Sequence, residues 1–557
     1  MPNVQRTAAL ALGLGLALAG CHSVTDLDEK PATFISPATF YRNDADAVSA
    51  VNGAYQPLMD WNLWRQPAWI SVACDDDEMQ CQNWMAGGFE GRQAGQWYIS
   101  RPWTGDYQII ARANDVLANV GASAAITAPT KKRTAGQALF VRGYAYFDLV
   151  RRFGGAPIRL EPYQPSDQAG TAPRASVPEV FAQAVKDLKA AADSLPASYT
   201  EAAGGARPTN ASAWGMLAKV YLHMAGEEVK GTPLAAARAA YLDSARLYAK
   251  KVIDGGAARL EANYMDLFDI GKQNASPEIL FSVQASAAGV QGAELPGFFA
   301  PTDYKLAGGG ASGFIGMRRD FYKTFAADDK RVAPNSAVFV RWNYSTSAND
   351  PGTPGIWLDS LPTATAMKDS VTNYGAWTEQ CGEYGQNTHL ILSRDPANPS
   401  ATDTARYSAA ATVYIKKYVD PAGLSKTGNS NNPIVLRYAD VLLMYAEAEN
   451  AVNGPAGAYA AVNEVRARAG LPALSGLSQA DFAEAVYQER KHELYAEFQT
   501  RFDMVRLGRW LTDMNKPARD GSSGTTVCRP RQAYQILFPL PESEIAGNPQ
   551  ITQNPGY

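Results

Sequence analysis

Glu489, Glu493 and Glu497 recur every four residues and so share one face of a helix. Two carboxylates held roughly 5–9.5 Å apart can hydrolyse a glycoside. Like charges at helical spacing also repel unless cations compensate, and Arg490, Arg501, Arg506 and Arg509 stand close in the chain. The glutamates therefore read first as an ion-pair network and only second as a catalytic pair. Other reactive constellations are missing from the sequence. Its four histidines include His492, but no second histidine follows at zincin spacing. There is no G-x-S-x-G elbow, and the GGGASG run at 308–313 lacks the Lys-Ser/Thr of a phosphate loop. Cys74 and Cys81 have no second ligand pair at metal spacing, so neither a metal nor a cofactor is expected.

Aromatic residues are the better candidates. Trp61, Trp64, Trp69, Trp84, Trp97, Tyr98 and Trp103 crowd a stretch of irregular sequence, and Trp342, Tyr344, Trp357, Tyr374 and Trp377 crowd another. Flat aromatic faces stack on the apolar face of a pyranose ring, and ligand pockets are enriched in aromatics with a few polar groups. Between the first tryptophans lies CDDDEMQC, residues 74–81. The sequence predicts that Trp84 and Trp97 form a sugar platform, with Asp75, Asp76 or Asp77 accepting hydrogen bonds from hydroxyls. The competing reading makes the acids a solvated turn and the tryptophans a minor core. Cys74 and Cys81 are the candidate disulfide; once Cys21 is set aside, the remaining four cysteines allow three pairings.

Helices must position these groups. The run GQALFVRGYAYFDLVRRFGGAP, residues 136–157, places Leu139, Tyr146, Val150 and Phe153 on one stripe and covers most other faces with apolar residues. Such a helix belongs inside a large protein. Gly143 and Ala145 would let a neighbouring helix come close, Asp148 can pair with Arg151 and Arg152, and Gly154, Gly155 and Pro157 end the helix. Further helices are expected over 37–58 with Ser36 as cap, from Trp103, over 177–195 behind a Ser176–Glu179 capping box, over 209–224, over 235–253, and from Ile434. Trp214, Leu217, Ala218 and Tyr221 follow tetratricopeptide spacing, so a short helical-repeat scaffold is expected. From about 255 to 432 Gly, Ser, Asn and Pro accumulate; long loops with few strands, one over 413–419, are expected there.

The chain has 557 residues, 46% of them hydrophobic, and a net charge of −4. This composition favours a globular protein and offers no basic patch for nucleic acid. Residues 1–20 carry Arg6, an apolar run over 8–19 that is short for a bilayer, and Leu18-Ala19-Gly20-Cys21, the shape of a bacterial lipobox. Residues 1–20 are thus a removable lipoprotein signal and Cys21 the lipidated residue. Asp26, Asp28 and Glu29 follow, as in acidic export signals of surface lipoproteins.

RGYAYFDLVRRFGGAPI resembles the signature of the SusD/RagB family of outer-membrane nutrient-binding lipoproteins. WTGDYQIIARANDVL resembles that family's second helix, with its W…Y…I…N pattern, and the segment ending Asp329 to Arg331 resembles its D-x-R element. Asp77-Glu78 matches the end of its short acidic S-D-E element. IVLRYADVLLMYAEAENAVNG, AYAAVNEVRARAGLP, the stretch from Asp481 to Trp510 and the closing QNPGY resemble its C-terminal pattern. The family's E-G-x-R is replaced by Glu497-Phe498-Gln499-Thr500-Arg501, which puts local geometry there in doubt. The resemblance implies a mostly α-helical SusD-like fold, with residues 21–557 as one domain despite the length. It implies a non-enzymatic, lipid-anchored protein of the outer membrane facing the cell exterior. Such a protein would bind an oligosaccharide and deliver it to a SusC-like TonB-dependent transporter. Peptide capture is the rival within the binding class, and a surface glycosidase the rival outside it.

Overall fold

The computed structural model describes residues 40–557 except 74, 82–93, 164–171, 200–206, 230, 288–291, 301–304, 307–308, 311–313, 323, 334–335, 343–410, 419–427 and 517–529. The fold is mostly helical. Helix α1 spans Asp44–Tyr55; its cap is Asn43, whose side chain accepts from the Asp46 amide, while the expected cap Ser36 lies outside the described residues. The seven residues of α2, Pro67–Ala73, are all buried. Helix α3 spans Trp97–Ala122 and begins a turn and a half before the expected start at Trp103.

The central helix α4, Ala128–Phe153, begins a full two turns before Gly136 and ends at Gly154, whose φ of +77° suits a residue without Cβ. Asp148 accepts from Arg151 and Arg152 at 2.6 Å each, all three buried. The signature residues of α3 pack onto this helix. Trp103 meets Phe153 edge to face, Tyr107 Oη donates to the Pro157 carbonyl at 2.7 Å, and Asn114 accepts from Arg142 at 2.7 Å.

Consecutive helices then stack as neighbours: α5 (Val177–Ser194) on α4, α6 (Asn210–Met224) on α5, and α7 (Arg238–Asp254) on α6. Both N-terminal capping boxes, at Ser176 and Thr209, are formed. The stack closes on α8, Tyr438–Asn453, which lies against α7 and against α10, Gln479–Leu494; α9, Tyr459–Arg468, joins them. After a break at 495–499 comes α11, Thr500–Arg506.

Strands are short. β1 (Met79–Cys81), β3 (Ile315–Met317), β5 (Ala411–Ile415) and β4 (Val338–Trp342) form an antiparallel sheet in that order. β2 (Ile279–Ser282) pairs with β6 (Ile434–Arg437). The last pair corrects an expectation, for Ile434 opens a strand and the helix begins at Tyr438. A run of Ile-Val-Leu buried on both faces has no period to separate strand from helix, and its partner lies more than 150 residues upstream, beyond any local signal. One cluster of buried apolar side chains extends from Ala47 to Ile551. No helix among the described residues is long and apolar enough to cross a membrane.

Candidate functional site

The acidic turn behind α2 is not a ligand surface. Asp75 is fully buried; its carboxylate lies 2.5 Å from Arg501 and 2.8 Å from Arg531, and its carbonyl accepts from the Trp510 indole at 3.0 Å. Asp76 accepts from the amides of Glu78 and Met79 at 3.0 Å each, an Asx turn that leads the chain into β1. Burial, with the nearby Asp77 charge, pushes its carboxyl up to about 8. Glu78 is buried against Thr500, and burial and Asp76 push it well up too. The expectation that Asp75 or Asp76 accepts sugar hydroxyls is therefore corrected. Their oxygens are spent on the C-terminal segment and on the turn itself. Asp77 keeps partial exposure but is paired to Lys491 at 2.7 Å. Cys81 is buried and disulfide-bonded, to a partner outside the described residues; Cys74 is itself outside them.

Glu489 and Glu493 lie on α10, but Glu497 falls in the break beyond its end at Leu494, which corrects the expected single helix face; all three belong to one ion-pair network. Glu489 meets Arg331 at 2.6 Å and Arg466 at 2.8 Å. Glu493 meets Arg331 at 3.0 Å, Arg437 at 2.5 Å and also Arg468. Glu497 meets Arg437 at 2.8 Å and Lys417 at 2.9 Å. All three glutamates are buried. Burial alone would raise Glu493, but Arg468, Arg437 and Arg331 outweigh it and hold its carboxyl low; Arg437 and Lys417 do the same for Glu497. Each carboxylate of this row is buried and held by arginine or lysine.

The tryptophans divide by exposure. Trp64, Trp69 and Trp103 are core residues; Trp64 donates to Tyr144 Oη at 3.0 Å, and Trp69 packs on Phe298, Phe299 and Phe498. Tyr98 is buried edge-on to Trp97, which corrects it from ligand contact to support. Trp97 itself is half-buried and opens α3. Its ring lies 6.2 Å from that of Trp61, nearly parallel at 12°, and Trp61 is 37% exposed. The Arg101 guanidinium lies 5.4 Å from both ring centroids. Arg65 lies 5.1 Å from Trp61 and pairs with Glu294 at 2.9 Å, which also accepts from Gln66.

Sequence reasoning counted Trp61 in the aromatic stretch but did not choose it, and missed Arg65 and Arg101. A signal was present. Trp61…Arg65 and Trp97…Arg101 repeat the spacing W-x-x-x-R, which puts each arginine one turn from its indole. Trp84, Tyr344, Trp357 and Trp377 lie outside the described residues; Trp342 ends β4, paired with Ala411.

Known structures place this fold in the SusD class. A SusD homologue from Bacteroides thetaiotaomicron superposes with a TM-score of 0.73 at 22% identity, covering 94% of this chain and 98% of its own. Surface glycan-binding protein A from Bacteroides uniformis gives 0.66 at 21%, covering 92% and 99%. A SusD-like protein P2 of Formosa agariphila is 26% identical over 580 aligned positions, 97% of this chain and 98% of that protein. Residues 277–557 match the model of the SusD family, and residues 27–222 match a SusD-like model described as starch-binding and associating with the outer membrane. The chain belongs to the SusD family.

Proposed function

We propose that this protein is a cell-surface lipoprotein that binds a glycan and hands it to a SusC-like TonB-dependent transporter of the outer membrane. One observation carries the binding reading: the parallel Trp61 and Trp97 rings with their arginines, Trp61 exposed and Trp97 half-buried. Exposed indoles stack on sugar rings, and rigid aromatic anchors dominate binding energy. The description of the N-terminal family model, starch-binding and associating with the outer membrane, supports the same ligand class and location. Binding without hydrolysis is supported by the fate of Glu489, Glu493 and Glu497, each locked by arginine or lysine. Trp84 and the second set, Trp342, Tyr344, Trp357 and Trp377, remain proposed ligand contacts.

The test is a binding screen of polysaccharides and peptides with Trp61→Ala and Trp97→Ala. Each variant should weaken glycan binding by about 1–3 kcal/mol. Trp61→Ala should leave the Tm nearly unchanged, since its ring is partly in water. Unchanged affinity with a large fall in Tm makes these rings structural. Capture of peptides alone replaces the ligand class, and glycan turnover by purified protein replaces the binding reading.

A further inference from the structure

Arg101 differs from the other cations around it. Arg65 is neutralised by Glu294. Arg101 is partly exposed and touches the two indole faces, yet no carboxylate among the described residues stands within ion-pair distance of it. Asp60 acts on it only at longer range, and that carboxylate already accepts from the Trp61 amide at 2.7 Å. The Arg101 Nη1 has no hydrogen-bond acceptor. Leaving an N–H withdrawn from water unpaired is costly, a cost that calls for an explanation where it persists. Stacking on an indole face leaves the donors of a guanidinium in its own plane, in the fork that matches a carboxylate or sulfate oxygen pair.

One neighbouring feature adds a polar contact. Helix α3 starts at Trp97 with no side-chain cap, and the Glu542 carboxylate lies beside Gly95 just before that start, where it answers the dipole. Gln96, its N-cap residue, has a buried Oε1 with no donor, an acceptor suited to a hydroxyl. An aromatic platform, an unpaired guanidinium and a lone amide oxygen thus meet within a few residues.

We infer that the ligand taken at this face is an acidic glycan, one bearing carboxylate or sulfate groups, and that Arg101 reads its charge. This rests on the glycan-binding reading above and narrows it. A neutral glycan would use the indoles and leave Arg101 unsatisfied; an acidic one satisfies it and is held both by stacking and by a bidentate pair.

The test measures affinities of the purified chain by calorimetry for matched glycans: a uronate polymer and its carboxyl-reduced form, and a sulfated galactan and its desulfated form. At least one acidic member should bind ten-fold or more tightly than its neutral counterpart, with an advantage that shrinks as salt is raised. Which pair shows the difference tells carboxylate from sulfate. Arg101→Gln should abolish the preference, bringing the affinities for the acidic glycan and its neutral counterpart together, and Arg101→Lys should keep part of it. Equal affinity within both pairs overturns the inference and leaves the glycan-binding reading standing. A preference that survives in Arg101→Gln overturns the role of Arg101. Failure to bind any glycan overturns both readings. The wild-type comparison and its salt dependence hold even if Arg101→Gln folds poorly.

Discussion

Ala496 and Phe498 hold left-handed backbone, with φ of 58° and 62°, at the place where the family's usual glycine is missing. A side chain in that region costs about 1–2 kcal/mol. Phe498 recovers it by packing, stacked at 6.3 Å on Tyr418 and set against Trp64 and Trp69. Ala496 has only a methyl to bury, and its carbonyl, which accepts from Tyr418 Oη at 2.7 Å, is kept by glycine. Ala496→Gly should therefore stabilise the protein by about 0.5–1 kcal/mol, after subtracting glycine's greater freedom in the unfolded chain. A lower Tm would show that the local backbone is not strained. Asp76 offers a second residue-scale test. Its carboxyl, pushed up to about 8 by burial and then by Asp77, keeps a proton that the unfolded chain releases near pH 4. The stability this contributes at acid pH is lost as pH rises from roughly 4 to 8. Asp76→Asn retains the acceptor for the Glu78 and Met79 amides and removes the titration. Denaturant unfolding of that variant should show a flatter decline than wild type between about pH 5 and 8; parallel curves would refute the assignment.

At the scale of elements, the close contact of α4 with α5 relies on glycines, Gly136 against Ser194 and Gly143 against Leu188. A Cβ on Gly143 would come 2.9 Å from Leu188 Cγ and 3.2 Å from the Ala184 carbonyl. Beside it Arg142 clasps Asp187 through two hydrogen bonds, at 2.7 and 2.8 Å. Gly143→Val should push the helices apart and cost about 1–3 kcal/mol, read as a fall of several degrees in Tm. An unchanged Tm would mean that the pair separates freely. Helix starts were the least legible feature. Trp97 and Tyr98 were counted in the irregular stretch; they precede Pro102, which cannot donate to the carbonyl four residues back, yet α3 runs through it. The packing of Tyr98, Ile99 and Trp103 into the core decides the matter. By contrast the helix over 177–194 was legible from its capping box, which acts within one turn, and that over 210–224 from the spacing of Trp214, Leu217, Ala218 and Tyr221.

Across the whole molecule, the closing residues return to the central helix. Asn554 Nδ2 donates to the carbonyls of Phe153 and Phe538 at 3.0 and 2.7 Å, and the Phe538 amide donates to the Arg152 carbonyl at 2.7 Å. Asp75, reaching Arg501 and Arg531, adds a second clasp between distant parts of the chain. The proposed lipid anchor concerns the whole molecule as well. Cys21→Ala should release the protein from membranes, and retention in the outer-membrane fraction after a high-salt wash would remove the anchor from the proposal. The sequence alone determined the family, the helical class and the core face of the central helix. Each rests on local periodicity, capping and motif order, written in neighbouring residues. Tertiary structure alone decided which acids and aromatics are buried. Asp75 meets its partners more than 400 residues away, and Glu493 meets Arg331, Arg437 and Arg468 from three separate segments. Trp61 and Trp97 come together because α1 and α2 both pack on α3, whereas Trp64, only three residues from Trp61, points into the core. Residue type sets what a side chain can do; whether water or protein surrounds it is settled by segments remote in the chain.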